Sequence, residues 1–329
     1  MRKPLVAAVS LNLLAAAALA APPGVADLLR MVPPTAQFVV GLDAAALRAH
    51  PAVQKLLLEH ASRAHLDADA AAFLAEAGLD PLRDVNAMVA AVIPDGATSH
   101  GAAAFAGRFD PEAMGAALTK RGATPTTLGA VPGFRLPEGE RHHGAAAVLA
   151  QVSREVVVVG NEAAVAAMLA PRHEASPLVD KAVAAGQIDP RAPFWAVGTI
   201  PAFAHRHAAT MDRRAEDEAD HPLHHVLAAA GVVKSVALQA SLDDSLHISG
   251  VASADTAENA ELLRDAAKGA LAALRLGAQD EHPELVDVLR GVQVRASGTD
   301  VAVSGAIPVA LLEKLAAEHS GGGPKRSAT

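Results

Sequence analysis

The sequence predicts an α+β fold built by tandem duplication, each half an antiparallel sheet with helices packed on one face. Three observations point there. Apolar β-branched runs alternate with alanine-rich helical runs, and several of the former come in pairs around a tight turn, which requires antiparallel pairing. "VGLDAAALRAHP", from Val40, returns in looser form as "VGTIPAFAHRHA", from Val197. Helix stops, caps and turns also recur in order: Gly41 and Gly198, Gly78 and Gly231, Asp110 and Asp255, Gly160 and Gly305.

In the first half, "AQFVVGLD" (36–43) reads as a buried strand whose last residue, Asp43, can cap the helix that follows from Ala44. Pro51 opens a second helix, "PAVQKLLLEHASR", at a position where its missing N–H is harmless. "DADAAAFLAEAG" is a third, with Gly78 placed for a left-handed C-cap. "VNAMVAAVI" and "GAAAFAGRF" form a hairpin, and Asp110-Pro111-Glu112 starts the next helix with a cap, a first-turn proline and an acid at the positive dipole end. "AAAVLAQVSREVVVVGN" is a second hairpin around Ser153-Arg154, and Asn161 caps "EAAVAAMLA".

The second half repeats the succession. "FWAVGTI" is the strand, and "PLHHVLAAAG" a helix closed by Gly231. "VVKSVALQASL" and "SLHISGVASA" pair around Asp243-Asp244, and Asp255 stands in capping-box spacing before "NAELLRDAAKGALAALRLG". "GVQVRASGTDVAVSGA" is a hairpin around Gly298-Thr299, and "VALLEKLAAEH" closes the half. The expected division is 1–20 signal peptide, 21–175 first repeat, 176–318 second repeat and 319–329 disordered tail.

The signal peptide is read from Arg2 and Lys3, an apolar run from Leu5 to Ala17, and the small-x-small site Ala18-Leu19-Ala20. No cysteine follows that could be lipidated, and no later run reaches the roughly 18 apolar residues of a membrane span. The expected location is the periplasm or the extracellular space. The chain has no cysteine, so disulfides, thiolate metal sites and cysteine nucleophiles are excluded. A net charge of −8 and 2% aromatic residues, with Trp195 the single tryptophan, argue against nucleic acid, anionic lipid surfaces and ring-stacking sugar sites.

"PPTAQFVVGLDAAALRAHPAVQKLL", "AGLDPLRDVNAMVAAV", "AAFAGRFDPEAMGAALTKRG" and "REVVVVGNEAAVAAMLA" resemble a loose, functionally uncharacterised group of exported proteins of high-GC bacteria. That group shares a G-L-D-P-x-x-D-V segment before the first hairpin and a G-x-F-D before the next helix. The resemblance implies export and the repeated α+β plan, and it supplies no catalytic residues.

Searching for chemistry yields little. G-x-S-x-G, S-x-x-K, Walker and G-x-G-x-x-G patterns are absent. Pro177 stands where a zincin motif starting at His173 needs its second histidine. The dense histidine region offers weak metal candidates: His205, His207, Glu218, His221 and His225, of which Glu218, His221 and His225 would share a stripe of a continuous helix. Zinc or nickel would suit them. Against this, Pro222 reads as a helix start that leaves His221 outside, and His142-His143 reads as a wet turn. Asp43, Asp110 and Asp255 read as helix caps before catalytic acids, and Arg108 as an ion-pair residue. The expectation is a non-catalytic exported binding or scaffold protein, with no cofactor. Two pseudo-symmetric halves would offer a cleft or a continuous concave sheet face, whose Ala- and Val-lined walls suit an apolar ligand or a partner helix. The alternatives are a periplasmic divalent-metal-binding protein using the loop histidines, and a hydrolase with dispersed catalytic residues.

Overall fold

The computed structural model describes residues 23–54, 68–95, 98–137, 147–171, 176–200 and 230–321. The signal segment, the histidine pair at 142–143, His173 and all five metal candidates (His205, His207, Glu218, His221 and His225) lie outside the described residues.

Helix α1 (Val25–Leu29) precedes β1 (Phe38–Asp43), and Asp43 accepts the Ala46 N–H at 2.8 Å to cap α2 (Ala44–Ala49). Residues 51–54 are helical, and the rest of the helix expected there is outside the described residues. Helix α3 (Ala68–Glu76) stops at Gly78, which takes φ 63°, as its C-cap role requires. One turn, α4 (Pro81–Asp84), leads into the hairpin β2 (Val85–Asp95) and β3 (Thr98–Gly107). Asp110 caps α5 (Pro111–Lys120) by accepting the N–H groups of Glu112 and Ala113. A further hairpin, β4 (Thr124–Leu128) and β5 (Val131–Arg135), turns at left-handed Gly129. Then come β6 (Ala147–Gln151) and β7 (Val156–Asn161), with Asn161 capping α6 (Glu162–Leu169), and α7 (Pro177–Ala184).

The second half holds β8 (Phe194–Thr199), the hairpin β9 (Val233–Leu242) and β10 (Ser245–Ala254), helices α8 (Ala257–Glu281) and α9 (Pro283–Gly291), the hairpin β11 (Gln293–Ser297) and β12 (Asp300–Pro308), and α10 (Val309–Gly321).

All twelve strands form one sheet, ordered β11-β12-β10-β9-β8-β1-β2-β3-β7-β6-β5-β4. The halves therefore share a sheet rather than owning one each. Antiparallel pairing of β1 with β8 makes the seam, with Val39 opposite Val197 and Val40 opposite Ala196. Outward from the seam both sides run first, second and third strand, then the later strand of a return hairpin, then the earlier one. The first half adds β4 and β5 beyond.

Side chains alternate between two faces. One face carries Val39, Val89, Ala104, Val158 and Trp195, closed by α1, α6 and α7. The other carries Phe105, Val157 and Val159, closed in the first half by α3 and α5. Helices thus pack on both faces of the first half, where the sequence led us to expect one. The expectation failed because β2 and β3 carry small or apolar residues on both faces and so gave no amphipathic contrast to read. In the second half, α8 covers the Phe105 face over Val301, Ala252 and Val294. The opposite face there is polar and exposed, with Ser241, His247, Gln293, Arg295 and Ser304 outward.

Two further expectations need correction. The cap of α8 is Thr256, whose hydroxyl accepts the Asn259 N–H at 3.1 Å, while Asp255 holds the Asn259 side chain at 2.6 Å. The glycine correspondences also fail. Gly41 lies on the Trp195 side and Gly198 on the Phe38 side, as their cross-strand partners show. Gly160 and Gly305 also lie on opposite faces, so neither glycine pair matches by face. Asp110 and Thr256 correspond as helix caps.

Candidate functional site

A polar site and an apolar one differ in their chemistry. The first is open and polar, about 690 Å³, between Gly78, Arg83, Asp84, Arg108, Asp110 and Arg154. It joins the two sequence segments that look most like motifs. The Arg108 N–H donates to the Asp84 carbonyl at 2.8 Å, and Gly107 runs so close to that carbonyl that any side chain would overlap it. The Asp84 side chain is 6% exposed. Its carboxylate accepts from the Asp80 N–H at 2.9 Å, from Arg83 Nε and Nη2 at 3.0 and 3.1 Å, and from Arg108 Nη2 at 3.1 Å. The Arg83 guanidinium, more than any other group, holds this carboxyl down at about 2, with the Asp80 N–H and the Arg108 charge adding to it against the opposing effect of burial. A carboxylate held that low is a poor general base, and its oxygens are occupied by donors. This cluster ties the start of β2 to the start of α5.

The second site is apolar. A cavity of about 360 Å³ lies between the sheet and α8, walled by Phe38, Ala196, Leu238, Leu263, Ala267 and Val303. Beside it another of about 270 Å³ lies under α9, walled by Leu238, Ile248, Val288, Leu289, Val292 and Val303. Leu238, Gly250 and Val303 line both, so the two form one trough on the Phe105 face. Register explains its floor. Leu238 stands opposite Gly250, and Gly250 opposite Val303. Gly250 is thus a pit between larger neighbours, and Leu238, Ile248 and Val303 around it are 39%, 38% and 38% exposed. Among the described residues no lysine, arginine or carboxylate lines either cavity, and the one hydroxyl residue there, Ser304, directs its side chain to the opposite face.

Of the residues singled out in the sequence, Asp43 and Asp110 are helix caps, and Arg108 pairs with Asp84. The structure brings none of these to the apolar trough. Among the described residues no group of three or more His, Cys, Asp or Glu could hold a metal, and no helix is long and apolar enough to cross a membrane. The trough residues had no individual signal in the sequence, because Phe38, Leu238 and Leu263 look like ordinary core positions.

No family model and no curated protein matches the chain. Among solved structures, the chain is similar to crystal form I of TP0453, with TM-score 0.44 and 9% identity over 89% of this chain and 96% of that one. Crystal form III of the same protein gives TM-score 0.44 and 10% identity, over 92% and 99%. A likeness at that level carries no argument about function.

Proposed function

We propose that the protein is an exported, non-catalytic binding protein that holds an apolar ligand in the trough beneath α8 and α9. The observation that carries this reading is the pair of adjoining cavities, sharing Leu238, Gly250 and Val303, with no charged wall among the described residues. Exposed apolar side chains gathered around a pit in a sheet face mark a binding site more often than scattered surface leucines do. The reading moves the ligand from a cleft between halves to a sheet face within the second half, although Phe38 and Ala196 bring the seam into the wall. Export rests on the positively charged and apolar opening segment. Tandem duplication is supported by the shared strand order on the two sides of the seam and by the common placement of α5 and α8.

The test is to purify the protein from its own host, extract it with organic solvent and identify what comes off by mass spectrometry. Gly250→Leu, which fills the pit, is extracted in parallel. We expect an apolar molecule in near-stoichiometric amount from the wild type and at least a tenfold lower yield from Gly250→Leu. Equal yields from the two proteins would place the ligand elsewhere.

A further inference from the structure

Granting the apolar trough as the binding site, we infer that its occupant is a single flexible aliphatic chain, laid across the strands, rather than a partner helix or a rigid ring system. The trough runs from Phe38 on β1 across β8, β9 and β10 to Val303 on β12. Four interstrand steps make it roughly 19 Å long. A helix of that length and ~10 Å diameter would need on the order of 1,500 Å³. The cavities provide about 360 and 270 Å³, less than half of that. A thin occupant fits where a helix does not.

The floor has the matching shape. On the Phe105 face the row Ala196, Leu238, Gly250, Val303 alternates small and large residues, and the next row is Ala240, Ile248, Gly305. Gly250 is an open low point while Val292 stands over Gly305, so the furrow bends away from Gly305 as it passes Ile248 and Val303. A chain with rotatable bonds follows such a bend, and a fused ring does not. Gly250 leaves that furrow at the cost of backbone entropy, whereas the space over Gly305 is taken by Val292. Nothing forces a glycine at 250, where an added methyl group would meet only ordinary contacts.

Charge limits the head of the ligand. With no lysine or arginine among the described residues of the walls, a carboxylate inside the trough would lose hydration without a partner there. An uncharged end group is therefore favoured within the trough, and a charged one must stay in water. At about 1.2 Å per bond in an extended chain, the trough takes on the order of 15 carbons.

The experiment is equilibrium binding of radiolabelled 1-hexadecanol to the purified protein, competed by 1-alkanols that bracket that length. The matching fatty acids, cholesterol and a short apolar helical peptide are further competitors, and Gly250→Leu is the control. We expect affinity to rise roughly fourfold per methylene and level off near the length of the trough, with the alkanol binding at least tenfold tighter than the fatty acid of equal length. Gly250→Leu should abolish it. Better competition by cholesterol or by the peptide, or affinity independent of chain length, overturns the chain while leaving the trough as a site. A fatty acid binding as tightly as its alkanol overturns the uncharged head alone. Equal hexadecanol binding by wild type and Gly250→Leu, or none by either, overturns the trough itself.

Discussion

In the first half the sheet is sealed on both faces, with Val158 and Ala104 under α6 and Val157 and Phe105 under α3 and α5. In the second half, among the described residues, one face is exposed beyond the buried Trp195, Val197 and Ala237, and the other is covered by a single helical layer that leaves Leu238, Ile248 and Val303 more than a third exposed. The same strand order thus serves two ends. Where the outer strands carry valine and alanine on both faces, helices close over both. Where β9, β10 and β12 put serine and glutamine on one face and apolar side chains on the other, only one face attracts a cover. The first half is closed by helices on both faces, and the apolar trough lies in the second.

The seam gives the largest expected effect. Trp195 is buried and donates its indole N–H to the Pro190 carbonyl at 3.2 Å, and its ring occupies the space above Gly41. A methyl group at Gly41 would overlap that ring. Gly41→Ala should therefore cost about 3 kcal/mol in urea unfolding, since the crowded neighbour has no free rotamer to move into. A cost below about 0.5 kcal/mol, the range of an ordinary surface change, would mean that the seam is not packed as described. Such a result would also weaken the contrast between a rigid and an open half.

A smaller effect sharpens the same contrast within the first half. Asp84→Asn keeps the shape but removes the charge that Arg83 and Arg108 grip, at an expected cost of about 2 kcal/mol at neutral pH. Because the folded carboxyl titrates at about 2, against an ordinary value of 3.8, its contribution is present above that ordinary value and is lost as the pH falls toward 2. The wild type should lose stability more steeply than Asp84→Asn across that window. Parallel acid limbs in the two proteins would show that Asp84 is not held as an ion.

Much of the fold was legible because its signals are local. Asp43, Asp110 and Asn161 cap helices, and turns at Ser153 and Gly298 join the paired strands, through bonds within a few residues. The β4–β5 hairpin escaped notice because Pro125 and Pro132 and the run of threonines break the apolar alternation by which a strand is recognised. Its place at the sheet edge is what allows those prolines. That the matched glycines lie on opposite faces was hidden for another reason. Matching glycine to glycine ignores which face each occupies, and only pairing reveals the face. The trough is less legible still. Phe38 and Leu263 are far apart in sequence and meet only because β1 and β8 join the halves edge to edge.

The smallest expected effect comes from the same substitution at the other kind of glycine. At Gly250 an added methyl group would lie 3.4 Å from the Ala237 carbonyl and 3.4 Å from Leu238 Cδ1, both ordinary contacts, and the backbone is not left-handed. Gly250→Ala should then be neutral or stabilising by about 0.5 kcal/mol, through the reduced freedom of the unfolded chain. Differential scanning calorimetry of Gly41→Ala and Gly250→Ala side by side measures the contrast directly. If Gly250→Ala lost as much stability as Gly41→Ala, the pit at Gly250 would be filled by protein, and the second half would have no more room than the first.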